Sequence, residues 1–107
     1  MEHPDHDIFI TALHEQRKVE VTYDSVKDAS IVRRTAAPLD FGPKAKEKVP
    51  TDRYHIWDYD SPSGAHTSSL KADQIRSITI LDETFDPADI VTWALNWHIS
   101  RDWGRCS

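Results

Sequence analysis

The sequence predicts a mainly β domain, a five-stranded antiparallel barrel that follows one N-terminal helix. Apolar residues near the N-terminus recur at the three- and four-residue spacing of a helix, and the period changes to two near Lys18. Short alternating segments, separated by turn residues, then continue to the region of Leu81. With 107 residues, one cysteine and a formal net charge of -5, the chain has the size of a single domain and cannot form an internal disulfide.

A helix is predicted over residues 5–16. Pro4 suits a first helical turn, and the acidic Asp5 and Asp7 complement the positive end of the helix dipole. The predicted buried face consists of Phe9, Ile10 and Leu13.

Strands are predicted at 18–24, 31–37, 52–60, 66–70 and 75–82. We expect Pro38 and Pro43 to interrupt strand pairing, because proline has no N–H group to donate. The charged stretch Gly42–Pro50 is therefore predicted to be a mobile loop.

The aromatic run from Asp52 to Asp60 predicts the organising strand of the domain. Because side chains alternate along a strand, one face would carry Tyr54 and Ile56. The opposite face would carry His55, Trp57 and Tyr59. The pattern allows two interpretations: a central strand buried on both sides, or a strand whose aromatic and imidazole side chains contact a ligand on one face.

The C-terminal segment contains three of the four tryptophans, Trp93, Trp97 and Trp103. Asp86, followed by a proline and a second acid, predicts the start of a short helix. We therefore divide the chain into a barrel domain at 1–86 and an extension at 87–107. Since so much indole surface is costly to expose, the extension is predicted to pack on the barrel or on a second copy of the chain.

Charge is unevenly distributed along the chain. Six basic residues and three acidic residues lie between Arg33 and Arg53, while the remainder is strongly acidic. An acidic total argues against non-specific duplex binding, although the basic segment could receive a small anion. The N-terminus lacks the features of a signal peptide and no apolar run reaches the length of a bilayer span, so we expect a cytoplasmic protein without membrane contact.

The sequence contains none of the common catalytic motifs that we sought. It has no glycine-rich phosphate loop, CxxC, HExxH or GxSxG. We therefore predict that the protein is not an enzyme, with no catalytic residues, no metal and no cofactor. Three weaker alternatives stay open: a metal site at His3 and His6, a carboxylate pair at Asp58 and Asp60, and a two-histidine site at His55 and His66.

The spacing of several residues resembles the WYL domain family over roughly residues 8–85. The matching elements are Val19–Tyr23, Arg33-Arg34 with Pro38, Tyr54-His55-Ile56, Gly64, Leu70, and Gln74-Ile75 with Phe85. Tyr54-His55-Ile56 stands where the family has Trp-Tyr-Leu. Ser69 and Gln74 stand where the family often has the arginines most tied to anion binding.

This resemblance implies an Sm-like, SH3-type barrel and a bacterial regulatory module that binds a ligand. The chain would be a stand-alone relative without the usual DNA-binding half. The ligand-binding residues would be Arg34, Arg53, His55, Trp57 and Tyr59, which have suitable chemistry for a nucleotide or single-stranded nucleic acid. The alternative is a protein-interaction or self-assembling domain that uses the Trp93–Trp103 tail to contact a protein partner or a second copy.

Overall fold

The computed structural model describes residues 2–26, 28–44, 46–62, 64–93 and 95–107. These residues form one α-helix followed by five antiparallel strands, so the predicted mainly β domain with an N-terminal helix is confirmed. The elements are α1 (His6–Glu15), β1 (Arg17–Ser25), β2 (Ser30–Pro43), β3 (Asp52–Asp58), β4 (His66–Lys71) and β5 (Ile75–Thr84). None of the described helical segments has the length and hydrophobicity needed to span a bilayer.

Helix α1 ends at Gln16, which adopts the left-handed conformation with φ of 56°. The Gln16 carbonyl then accepts a hydrogen bond of 2.9 Å from the Phe85 amide, tying the helix end to the chain after β5. Phe9 and Leu13 are fully buried as predicted. Ile10 is only half-buried, and Ala12 occupies the core instead, because the face that α1 turns to the sheet is centred on Phe9, Ala12 and Leu13.

The strands form a single sheet in the order β4-β3-β2-β1-β5. β2 is long enough to serve two partners, since residues 30–36 pair with β1 and residues 36–43 pair with β3. Only the three-residue turn Ala72–Gln74 separates β4 from β5, so the chain passes directly from one edge of the sheet to the other.

The predicted end of the second strand and the predicted start of the following loop were wrong. β2 does not stop at Ala37 but continues through Pro38 to Pro43, and the register shifts between Pro38 and Asp40. This irregularity lets the ladder pass a residue that cannot donate a hydrogen bond. The predicted loop accordingly loses Gly42 and Pro43 to the strand; its mobility stays a prediction.

The predicted barrel closure is not observed. β4 and β5 are the two edges of the sheet, and no pairing joins them in the described part of the chain. The predicted C-terminal helix is also shorter than expected. It amounts to the single 3-10 turn Pro87–Asp89, in which the Asp86 side chain accepts a hydrogen bond from the Ala88 amide.

The core lies between the sheet and α1. Tyr54 is fully buried, and its ring packs edge-on against Phe9 with 5.0 Å between centroids. The Tyr54 hydroxyl accepts a hydrogen bond from the His3 amide and contacts His6 Nδ1, each at 2.9 Å. Both N-terminal histidines thus contact the core tyrosine.

The C-terminal segment lies against the same body. Trp103 is buried, and its indole N–H donates to the Leu13 carbonyl over 2.8 Å. Arg101 is held between the rings of Trp97 and Trp103, with its guanidinium carbon 4.0 Å and 4.4 Å from their centroids. Its Nη2 forms an ion pair of 3.0 Å with Asp40 at the β2 irregularity.

Candidate functional site

A cavity of about 380 Å³ lies in the gap between the β1–β2 hairpin and the edge strand β4. We call it the hairpin cavity. One wall comes from the hairpin and the other from β4 and the turn before it, with Gln74 from the turn before β5. The lining residues are Tyr23, Ser25, Val26, Asp28, Arg34, Asp58, Ser61, Pro62, His66, Ser68, Ser69, Leu70 and Gln74.

Among the described residues of this lining, Arg34 is the single basic side chain, histidine aside. Its partner in the β1 ladder is Val21, so its side chain shares a face with the buried core. The Arg34 side chain is 14% exposed, and its guanidinium donates to the Asp60 carbonyl over 3.1 Å. A longer contact of 3.4 Å reaches the Asp28 carboxylate.

Asp58 supplies the nearest buried charge to Arg34. Its side chain is 3% exposed, and a carboxylate oxygen lies 3.6 Å from the guanidinium Nε. That Nε is buried and has no hydrogen-bond partner among the described residues. The Asp58 carboxylate also accepts a hydrogen bond of 2.9 Å from the Asp60 amide.

The two aspartates at the end of β3 do not face each other as a metal-binding pair. Asp60 turns its carboxylate to the Thr35 amide, which donates over 2.7 Å. No group of three or more potential metal-ligating side chains occurs within the described ranges. The histidines of the other two alternatives also contact backbone carbonyls: His3 Nε2 contacts that of Ile75, and His66 Nδ1 contacts that of Gly64.

Tyr23 borders the cavity beside Arg34. Burial raises the pKa of its hydroxyl, while a hydrogen bond with Arg34 acts in the opposite direction. The hydroxyl is therefore protonated at neutral pH and available as a hydrogen-bond donor or acceptor. Tyr23, the serines of β4 and Gln74 are thus neutral polar members of the lining, while Asp28 and Asp58 are the carboxylates nearest to the guanidinium.

The predicted alternation of β3 is confirmed. Tyr54, Ile56 and Asp58 are buried on one face, whereas His55 and Trp57 are half-buried on the other. Tyr59, which follows the strand, is also half-buried, and the Lys18 ammonium lies 4.6 Å from its ring centroid.

His55 belongs to a second cavity, on the opposite face of the sheet from Arg34. Its Nε2 contacts the Gly42 carbonyl and its Nδ1 contacts Ser69 Oγ, both at 2.8 Å. Because a carbonyl only accepts, the proton of the neutral ring lies on Nε2. Burial lowers the pKa of His55, although the hydrogen bond to Gly42 opposes that shift.

Arg53 is paired within its own neighbourhood. Its Nη2 lies 3.0 Å from the Glu47 carboxylate, and both side chains are 18% exposed. The hydrogen bond from Arg53 is the main reason that the pKa of Glu47 is lowered.

The five sequence-predicted ligand residues thus do not line one cavity. Arg34 lines the hairpin cavity and His55 lines the other, while Arg53, Trp57 and Tyr59 line neither. The reason is the alternation of β3, which places His55 and Trp57 on the opposite face of the sheet from Arg34.

Sequence reasoning missed Asp28 and Ser61 in the hairpin cavity and the Asp40–Arg101 pair behind the C-terminal segment. It proposed His66 only as a partner of His55, whereas His66 lines the hairpin cavity. Asp28 lies in a turn, and a carboxylate in a turn is indistinguishable by sequence from an ordinary solvent-exposed residue. Asp40 carried one usable signal: it is an isolated carboxylate between Leu39 and Phe41 in an apolar stretch. A buried charge requires a partner, and only the fold reveals that the partner is 61 residues away.

Comparison of the chain with protein-family models, with curated proteins and with solved structures gave no match.

Proposed function

We propose that the chain is a ligand-binding regulatory module of the WYL type that holds a small anionic ligand in the hairpin cavity. One observation carries this proposal: Tyr23, Arg34, Ser69 and Gln74 all line that cavity. These four positions belong to the WYL-like pattern, in which the last three are tied to ligand binding. They come from β1, β2, β4 and the turn before β5, so their convergence is a property of the fold.

The strand arrangement supports the same proposal. A long β2 shared by two partners, and a single 3-10 turn between β4 and β5, fit an Sm-like, SH3-type barrel that is open at the hairpin cavity. In this proposal the module has no catalytic role and the gap between the edges serves as the ligand entrance.

The Arg34 guanidinium has unused capacity for an anion. It carries five N–H donors in a planar fork that suits carboxylate or phosphate. The Asp60 carbonyl is at good hydrogen-bond distance, Asp28 lies at a long 3.4 Å, and Nε lacks an acceptor among the described residues. A ligand oxygen that replaces the exposed Asp28 carboxylate would therefore improve the geometry.

The rest of the lining favours a nucleotide-like ligand over a bare anion. Asp28 and Asp58 oppose a second negative charge near Arg34, so a ligand must gain affinity from other groups as well. The Tyr23 and Ser68 hydroxyls suit the sugar hydroxyls of a mononucleotide. The Ser69 hydroxyl and both polar atoms of the Gln74 amide already have protein partners, so they shape the lining and do not recognise the ligand directly. The volume of about 380 Å³ lies within the range of small-molecule sites.

The test is calorimetric titration with a panel of ribonucleoside monophosphates and with a short oligothymidylate. Arg34→Lys keeps the charge that faces Asp58 but removes the fork, so binding should weaken by about tenfold or more. Arg33→Lys is the matched control, because Arg33 is the adjacent residue, is 71% exposed and does not line the cavity.

Asp28→Asn should act in the opposite direction. Removing the competing carboxylate should strengthen binding by roughly two- to fivefold. Asp24→Asn, at an exposed carboxylate that pairs with Arg76 outside the cavity, controls for net charge. If no nucleotide binds, or if Arg34→Lys and Arg33→Lys behave alike, the proposal fails. Binding of the oligonucleotide alone would transfer the proposal to single-stranded nucleic acid.

The protein-interaction alternative has fewer tryptophans to use. Trp97 and Trp103 pack against each other and Arg101 within the chain, and only Trp93 is substantially exposed, at 41%. Salt dependence separates the two proposals. An apolar association through Trp93, followed by light scattering, would persist at high salt, whereas nucleotide binding, followed by calorimetry, would weaken.

A further inference from the structure

The second cavity, which contains His55, lies between the C-terminal segment and strands β2 to β4. It has a volume of about 270 Å³. We call it the C-terminal cavity. Its outer wall includes Trp93, Asn96, Trp97 and His98, and Lys44 stands at the β2 end. The cavity exists only because the C-terminal segment is docked.

The wall is held by a buried anchor. The Asp40 carboxylate accepts hydrogen bonds from the amides of His98 and Ile99, at 2.9 Å and 3.0 Å, besides its ion pair with Arg101. The His98 ring fits against Gly42, where any side chain would collide with it. The wall is therefore formed before a ligand arrives, which reduces the entropic cost of binding.

Several polar groups of the cavity already have partners. Asp40 is used by the C-terminal segment, and both ring nitrogens of His55 are occupied. In the described part of the chain, no hydrogen bond or ion pair engages the side chains of Lys44, Thr67 or Asn96. The indole of Trp93 is 41% exposed at the same cavity.

We infer that the C-terminal cavity binds a planar aromatic carboxylate, independently of the ligand of the hairpin cavity. The ring would stack on Trp93, since indole faces bind flat rings favourably. The carboxylate would pair with the Lys44 ammonium, and Asn96 and Thr67 supply amide and hydroxyl groups at the edge. The volume of about 270 Å³ lies just below the range of drug-sized ligand sites, so the ligand must be small.

The test uses 2-naphthoate as the probe, measured by calorimetry against two matched compounds. 2-Naphthalenemethanol keeps the rings without the charge, and cyclohexanecarboxylate keeps the charge without the aromatic face. We expect saturable binding of 2-naphthoate with one site per chain, weaker binding of the alcohol, and the weakest binding of the saturated acid.

Variants assign the site. Trp93→Leu should weaken 2-naphthoate binding by about tenfold. Leu95→Ala should leave it unchanged, since Leu95 is equally exposed, at 40%, but lies outside the cavity. Lys44→Met should weaken binding of the acid but not of the alcohol, whereas Lys46→Met, outside the lining, should affect neither.

The inference is overturned if 2-naphthoate does not saturate the protein, if Trp93→Leu binds it as tightly as the unmodified chain, or if Lys44→Met and Lys46→Met behave alike. Arg34→Lys separates the two sites, because it should impair nucleotide binding and leave 2-naphthoate binding intact.

Discussion

Removal of the Asp40–Arg101 ion pair should loosen the C-terminal segment and destabilise the whole domain. The Arg101 side chain is 0% exposed and that of Asp40 is 7% exposed, so neither charge can turn to water when its partner is removed. Burial lowers the pKa of Arg101 to about 10, which still leaves it charged at neutral pH. Removing one partner of a buried pair typically costs about 3–5 kcal/mol.

The two single variants should differ in size. Arg101→Met keeps an apolar stem between Trp97 and Trp103 and leaves Asp40 two backbone amides to accept from, so we expect a loss of about 3 kcal/mol. Asp40→Ala leaves the buried guanidinium without its counter-charge, with only the Leu39 and Ile99 carbonyls as acceptors, and leaves both amides unpaired, so we expect about 5 kcal/mol. For a domain of this size, about 4 °C in Tm per kcal/mol translates these losses into roughly 12 °C and 20 °C.

The assay is urea unfolding followed by tryptophan fluorescence, with circular dichroism as a second probe. Asp40→Ala combined with Arg101→Met should lose clearly less stability than the sum of the two single losses, because no isolated charge remains buried. Arg105→Met, at an exposed arginine in the same segment, should stay within about 0.5 kcal/mol of the unmodified chain. A loss below about 1 kcal/mol for Arg101→Met, or simple additivity in the double variant, would refute the reasoning.

Two further predictions concern the sheet itself. Since burial holds the folded-state pKa of His55 below its ordinary value of about 6.5, the unfolded chain takes up that proton first, so stability should fall as the pH drops from about 6.5 toward the folded-state pKa. His55→Gln should flatten this dependence, and an NMR titration placing the His55 pKa at or above 6.5 would contradict it. Tyr54→Phe should lower stability by about 1–3 kcal/mol in thermal unfolding, because it strips partners from His3 and His6. Tyr59→Phe is the control, since no described hydrogen bond involves its hydroxyl; an equal loss in both variants would count against the Tyr54 network.

Local periodicity in the sequence by itself determined much of the fold. The alternation of β1 and of β3 specified which side chains are buried, because a strand that has one face on a core repeats every two residues. The helix was equally predictable, since the spacing of Leu13 from Phe9 and Ile10, four and three residues, is a local signal.

Only the tertiary structure decided how these elements combine. Pro38 predicts a strand end, yet a register shift carries β2 past it, and that continuation places Asp40 under the C-terminal segment. The sequence analysis placed Arg34 and His55 in one ligand site because both can contact a nucleotide. The pairing of β2 with β3 puts them on opposite faces of the sheet, in two separate cavities. Partners such as Asp40 and Arg101 lie far apart along the chain, and a one-dimensional pattern records neither the distance between them nor the burial that makes their pairing necessary.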